Sequence, residues 1–219
     1  MKHSSHYYAR HFVGGHQEVF DIGCGKGFFA AELKRSDNRV VGVDTLPQSP
    51  ESEVLEEYIS ADLNADQVRI LERLRGRRFD RVLLLDVLEH LARPESLLIT
   101  ARRALKENGC LVVSLPNIAN VTERLMLLVG RFDYADRGIM DRSHLRFFTR
   151  KTARQLLEEI NYEILQEKMT VMPMELILGL SPANFLMRAI NGFLAVLTAL
   201  FPGLLGYQIM FLARSGSTN

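Results

Sequence analysis

The chain has 219 residues, 47% hydrophobic and 24% charged, enough for one domain that buries a core without disulfide or metal staples. Lysine plus arginine number 27 against 26 acids, a net charge of +1. That balance argues against a partner held mainly by phosphate neutralisation, and no nucleic-acid partner is expected. The two cysteines, Cys24 and Cys110, lack CxxC or Cys/His ligand spacing, which points to a reducing compartment and no structural zinc. The N-terminus has no apolar run of signal-peptide length, so a cytoplasmic location is expected.

In chain order, Glu18–Ile22 predicts a buried strand that stops at a glycine cluster, and Phe28–Arg35 a helix with Phe29 and Leu33 inward. Arg39–Val43 and Tyr58–Ala61 predict strands, and Ala65–Leu74 a helix with Val68, Leu71 and Leu74 as its stripe. Phe79–Leu85 is an almost continuous apolar run, as in a strand covered on both faces. Pro94 opens a helix that Asn108-Gly109 is expected to end, followed by a strand over Cys110–Leu115. Val121–Val129 predicts an apolar helix, Thr149–Ile160 a helix with a threonine N-cap, and Tyr162–Val171 a strand.

Between Arg188 and Arg214 lie 25 uncharged residues, long enough for a membrane span but divided by Pro202-Gly203 and Gly206. Leu186, Ile190, Leu194, Leu197 and Phe201 form one helical face, and Gly206–Ala213 reads as a strand. The expectation is a packed helix plus a last buried strand. The rival is peripheral membrane contact through this apolar segment.

Strands alternating with helices imply βαβ units, hence an α/β, Rossmann-like, doubly wound, mostly parallel sheet with helices on both faces. Ligands bind such sheets beyond the strand C-termini. The first strand leads into Asp21-Ile-Gly23-Cys-Gly25-Lys-Gly27. This is neither the GxGxxG dinucleotide fingerprint, since position 28 is Phe, nor a P-loop. Asp21 would repel a pyrophosphate and favour a cationic or amine-bearing ligand. Asp44 ends the second strand, where a carboxylate can accept both hydroxyls of a ribose. Asp62 follows the third and could receive an exocyclic amine of adenine or else cap the next helix, with Leu63 as an apolar wall. The fourth runs into Asp86-Val-Leu-Glu89-His90.

VFDIGCGKGFFA, VVGVD, SADLN and FDRVLLLDVLEHL, in this order and spacing, resemble the successive motifs of class I S-adenosylmethionine-dependent methyltransferases. LKENGCLVVSLPNIAN and GRFDYADRGIMDRSHLRFFT extend the likeness towards a bacterial subgroup associated with surface-polysaccharide assembly. The resemblance covers roughly residues 7–170. It implies a single methyltransferase domain over 1–219, with a seven-stranded sheet whose final strand is antiparallel. Within it, 1–16 would be a lid segment, 116–148 an acceptor-side insertion, and 174–213 the apolar helix plus last strand.

S-Adenosyl-L-methionine is the implied cofactor. The resemblance places Asp21, Gly23 and Gly25 along its methionine portion, Asp44 on the ribose, Asp62 and Leu63 at the adenine, and Asp86 beside the methyl group. Tyr8 and Arg10 would belong to the lid, Arg10 meeting the carboxylate. The expected reaction is O-methylation of a small-molecule or glycan-type acceptor.

A hydroxyl acceptor needs a base with pKa near neutrality. His144 and His90 are the candidates, with Asp141 placed to orient His144. Glu89 is explained equally by chemistry and by the helix dipole. Asp86-x-x-Glu89-His90 also resembles the acid-x-x-Glu-His cluster of ubiquinone-pathway O-methyltransferases, in which divalent-metal binding is a family feature. Here no metal is expected. Two other classes remain open, a non-catalytic cofactor-binding module in a glycan-assembly complex and an NAD(P)-dependent oxidoreductase. The arginines at 73, 75, 77, 78 and 81 precede the fourth strand, so a solvated loop is expected rather than an RNA site.

Overall fold

The computed structural model describes residues 3–47, 54–174 and 184–216. Its strands are β1 (Glu18–Ile22), β2 (Arg39–Asp44), β3 (Glu57–Ser60), β4 (Phe79–Leu85), β5 (Leu105–Pro116), β6 (Tyr162–Met169) and β7 (Gln208–Ser215). They form one sheet in the order β3-β2-β1-β4-β5-β7-β6. Pairing is parallel from β3 to β5, and β7 inserts antiparallel to both β5 and β6. This is the doubly wound sheet with an antiparallel final strand that the sequence predicts.

The near-continuous apolar runs of β1, β2 and β4 follow from cover on both faces. On one face α1 (Ser5–Val13) and α2 (Phe28–Lys34) pack Ala9, Phe12, Val13, Phe29 and Leu33 against the sheet. On the other, α3 (Gln67–Leu74), α4 (Pro94–Ala104) and α6 (Arg150–Glu159) bury Ile70, Leu97, Leu98, Ala101 and Leu157, while α5 (Val121–Leu128), between the last two in the chain, buries none of its residues. Local signals set their starts. Ser4 Oγ caps α1 by accepting from Tyr7 N–H, and Thr149 and Thr152 form a reciprocal capping box on α6.

Three features differ from the sequence expectation. Asn108-Gly109 does not end α4. The chain turns extended at Leu105, which pairs with Phe79 and buries its side chain, and Asn108-Gly109 lie inside β5 beside a register shift. A Cβ on Gly109 would stand 2.8 Å from the Phe79 carbonyl, so glycine serves close strand approach there. In α3 the inward stripe is Ile70 and Leu74, while Val68 is 72% exposed.

The third difference is at the C-terminus. α7 (Phe185–Leu200) precedes β7 as expected, with a further short helix, α8 (Pro202–Leu205), between them, but α7 is not packed like a core element. Met187 and Thr198 are buried, whereas Phe185, Phe193, Val196 and Leu200 are exposed. The expected face shared by Ile190, Leu194 and Leu197 is half-buried. No helix among the described residues is long and apolar enough to cross a membrane. Residues 175–183 of the predicted 174–213 segment, and the side chain of Leu186, lie outside the described residues.

Both cysteines are free and buried. Cys24 packs against Gly42, where a Cβ would meet its sulfur at 2.7 Å, and burial pushes its thiol pKa up. The arginine cluster also has structural work. Arg77 pairs with Glu56 and lies over the Phe79 ring, Arg78 donates to the carbonyls of Arg103 and Leu105, and Arg81 donates to Phe12 O.

Candidate active site

β1 lies between β2 and β4, the point at which the chain order reverses and an open sheet leaves a crevice at its strand C-termini. Ile22 is level with Val43 on one side and Leu84 on the other. The residues that follow therefore emerge together. A cleft of about 220 Å³ opens there, lined by Gly23, Asp44, Asp62, Leu63, Asp86 and His90 among others.

The glycine turn is built for it. Gly23 has φ +80°, and a Cβ there would lie 2.4 Å from Val87 Cγ2, so two constraints require glycine. Gly25 has φ +53° with open space where a Cβ would project, which leaves room for a ligand against the main chain. Gly25 N–H donates to Asp44 Oδ2 at 2.8 Å, and Leu46 N–H to Oδ1 at 3.2 Å. The carboxylate at the end of β2 is thereby held in place.

Asp21 is different. It is buried and absent from the cleft lining. Burial first, and the neighbouring Asp44 charge second, push its carboxyl up to about 7. Asp62 is exposed on the cleft, and its carboxylate accepts from Asn64 N–H at 2.8 Å. Asp66, not Asp62, stands at the N-cap of α3. Asp86 adopts φ +55°, a strained conformation for a non-glycine residue. Ser114 Oγ donates to Asp86 Oδ1 at 2.7 Å, and Gln208 Nε2 to both carboxylate oxygens at 2.8 Å.

A second cavity of about 220 Å³ adjoins the first and shares Asp86 and His90 with it. Glu89, Arg137, His144 and Tyr207 complete much of its wall. The Glu89 side chain is buried with neither oxygen hydrogen-bonded. Burial, reinforced by the Asp86 charge, pushes it up to about 9. Ligand atoms of Glu89, His90 and His144 lie within 4.8 Å of one another. The two imidazoles meet edge to face at 4.8 Å.

His144 Nδ1 lies 3.0 Å from the Ile139 carbonyl. The proton therefore sits on Nδ1 and the lone pair on Nε2. Burial holds its pKa below the usual histidine value.

The structure corrects three placements. Asp141 does not orient the His144 ring. Its carboxylate accepts from Ser143 N–H and Oγ, and the Ile139 carbonyl fixes the imidazole instead. The acidic member of the acid-x-x-Glu-His spacing is not in the close group, since the ligand atoms that lie within 4.8 Å of one another are those of Glu89, His90 and His144, while Asp86 is held by Ser114 and Gln208. Tyr8 and Arg10 do not reach the cleft. α1 packs on the sheet through Ala9, Phe12 and Val13, which turns Tyr8 toward a cavity at β6 and α7, and Arg10 toward one beside Glu32. Of the aromatics at 132–148, Phe148 is buried, while Phe132 and Tyr134 are half-exposed.

Ser114, Ile139, Tyr207 and Gln208 are site residues that sequence reasoning missed. Gln208 is 122 residues from Asp86. No local motif connects them.

Comparisons with known proteins show the family and the fold. Residues 9–167 match a family described as methyltransferase domain. The ubiquinone biosynthesis O-methyltransferase of Cereibacter sphaeroides is 32% identical over 115 residues, 51% of this chain and 46% of the relative. The chain thus matches over about half the length of the first curated relatives. Among solved structures, a SAM-dependent methyltransferase from Archaeoglobus fulgidus superposes with TM-score 0.61 at 20% identity, covering 95% of this chain and 90% of that one. The Burkholderia thailandensis 1,6-didemethyltoxoflavin-N1-methyltransferase, solved with its substrate and S-adenosylhomocysteine, gives 0.62 at 16% identity, covering 99% and 80%. At these identities the superpositions establish the fold.

Proposed function

The chain belongs to the methyltransferase domain family, and on that premise we propose that it transfers a methyl group from S-adenosylmethionine to a hydroxyl of a small acceptor, a phenol or a glycan-type sugar. The observation that carries this reading is the lining of the first cleft. It presents three carboxylates, Asp44, Asp62 and Asp86, and no lysine or arginine among the described residues. A dinucleotide diphosphate would be repelled there, whereas a sulfonium nucleoside with a free amine is attracted. The residues also fit the cofactor sterically, since the Gly25 backbone leaves an open cradle.

Asp44 is the ribose ligand in this reading, and Leu63 with Asp62 the adenine wall. Asp86, oriented by Ser114 and Gln208, stands at the junction of the two cavities. Bound there, the cofactor would supply an electrophilic methyl carbon. The protein's part is chiefly alignment, worth roughly 7–11 kcal/mol when donor and acceptor are well oriented. His144 supplies the base. Its Nε2 lone pair faces the task of taking the acceptor's hydroxyl proton, while the Nδ1 hydrogen bond to Ile139 keeps the tautomer fixed.

Calorimetry with S-adenosylhomocysteine and, separately, NAD tests the cofactor. Binding of the sulfur nucleoside alone is expected. NAD binding without it would replace this reading with the oxidoreductase one. Methyl transfer from labelled donor into phenolic and sugar acceptors then separates a working enzyme from a silent cofactor-binding module.

The orphaned Glu89 carboxyl favours one second reading. With His90 and His144 it offers a divalent cation three ligands, and such an ion would lower the acceptor hydroxyl's pKa. Loss of methyl transfer in EDTA, restored by magnesium or zinc, would establish that reading over the histidine base.

A further inference from the structure

A tight turn from the 116–148 insertion forms part of the wall of the second cavity. Ala135 and Asp141 form a bridge, Ala135 N–H donates to Met140 O at 2.8 Å, and Arg142 N–H donates to Ala135 O at 3.0 Å. Ile139 and Met140 anchor the turn in the interior. At its tip, Gly138 has φ +91°, and a Cβ there would lie 2.9 Å from Tyr207 Oη. The tip is thus pressed onto the cavity wall, and it places Arg137 on the lining with His144 and Tyr207.

The neighbouring arginines are already engaged. Arg131 pairs with Asp133, Arg142 with Asp136, and Arg146 reaches Glu95 and the Ala92 carbonyl. Of the cavity's acids, Asp86 is engaged by Ser114 and Gln208, and Asp141 by Ser143. Glu89 is buried, and neither of its oxygens accepts a hydrogen bond from Arg137 or any other group. Among the described residues, Arg137 is left as a guanidinium on this wall with no acid assigned to it. Its planar fork suits bidentate capture of a carboxylate or phosphate.

We propose that Arg137 is a specificity-determining residue, selecting acceptors that carry a carboxylate or phosphate besides the hydroxyl presented to His144. This rests on the reading of the second cavity as the acceptor's. The test is binding to protein saturated with S-adenosylhomocysteine, using two matched pairs: 3-hydroxybenzoate against phenol, and glucose 6-phosphate against glucose. The anionic member of at least one pair should bind about tenfold or more tightly, and which pair responds tells carboxylate from phosphate. Arg137→Gln should abolish that preference while leaving S-adenosylhomocysteine affinity unchanged, and Arg137→Lys should keep part of it. Arg131→Gln, on a different cavity, should keep all of it. Equal binding within both pairs, no binding of either anion at millimolar concentration, or a preference that survives Arg137→Gln would overturn the proposal. Failure of S-adenosylhomocysteine to bind would remove the methyltransferase reading itself, so the two failures are distinct.

Discussion

Replacing Asp21 with asparagine should stabilise the domain, and by an amount that depends on pH. The carboxyl is buried beside Asp44 and ionises only near pH 7 in the folded chain, against 3.8 for an unperturbed aspartate. Between those values the folded protein holds a proton that the unfolded chain has released. Wild-type stability is therefore lost progressively from about pH 4 to pH 7 and then levels off. At 1.36 kcal/mol for each pH unit between the two values, the full penalty is at most about 4 kcal/mol. Asparagine keeps the shape and cannot ionise.

Urea unfolding of both proteins should show a stability difference that grows by about 2–4 kcal/mol between pH 4 and pH 7.5. A difference constant to within about 0.5 kcal/mol over that range would refute the reasoning. It would mean that Asp21 is solvated or paired in a way the sheet geometry does not show.

Asp44→Ala should weaken S-adenosylhomocysteine binding by about 1–3 kcal/mol through lost charged hydrogen bonds, and unchanged calorimetric affinity would take Asp44 out of the site. Gly23→Ala should cost about 2–4 kcal/mol in denaturant titrations, combining left-handed strain with the collision at Val87. Gly23→Ala/Val87→Ala should recover the collision part alone, and no recovery would refute the steric account. Gly25→Ala meets open space, so its stability loss should be only about 1 kcal/mol, with cofactor binding suffering instead. Because burial lowers the pKa of His144, the methyl-transfer rate should rise with pH to a midpoint below 6.5 and stay flat through neutrality. A midpoint above 7 would exclude His144 as the base.

The strand-end carboxylates were legible because each follows its own strand directly. A run such as Phe79–Leu85 announces a strand covered on both faces, and whatever comes next must stand at the sheet's rim. The same logic failed where a local signal met a tertiary demand. Asn108-Gly109 is a sound helix stop, yet burying Leu105 against Phe79 draws the chain into β5 earlier. Asp141 and His144 share a spacing that suggests an orienting pair, but Ser143, nearer along the chain, claims the carboxylate.

The amino-acid order by itself thus determined the sheet, its two helical layers and the acids above the crevice, since those depend on periodicity and on immediate neighbours along the chain. Only the tertiary structure decided what those acids do. Ser114 and Gln208 converge on Asp86, Ile139 selects the tautomer of His144, and the tip at Gly138 sets Arg137 against the cavity. Such contacts join residues brought close by strand insertion and loop closure. The insertion of β7 between β5 and β6, a non-local pairing, carries Gln208 to Asp86 across 122 positions.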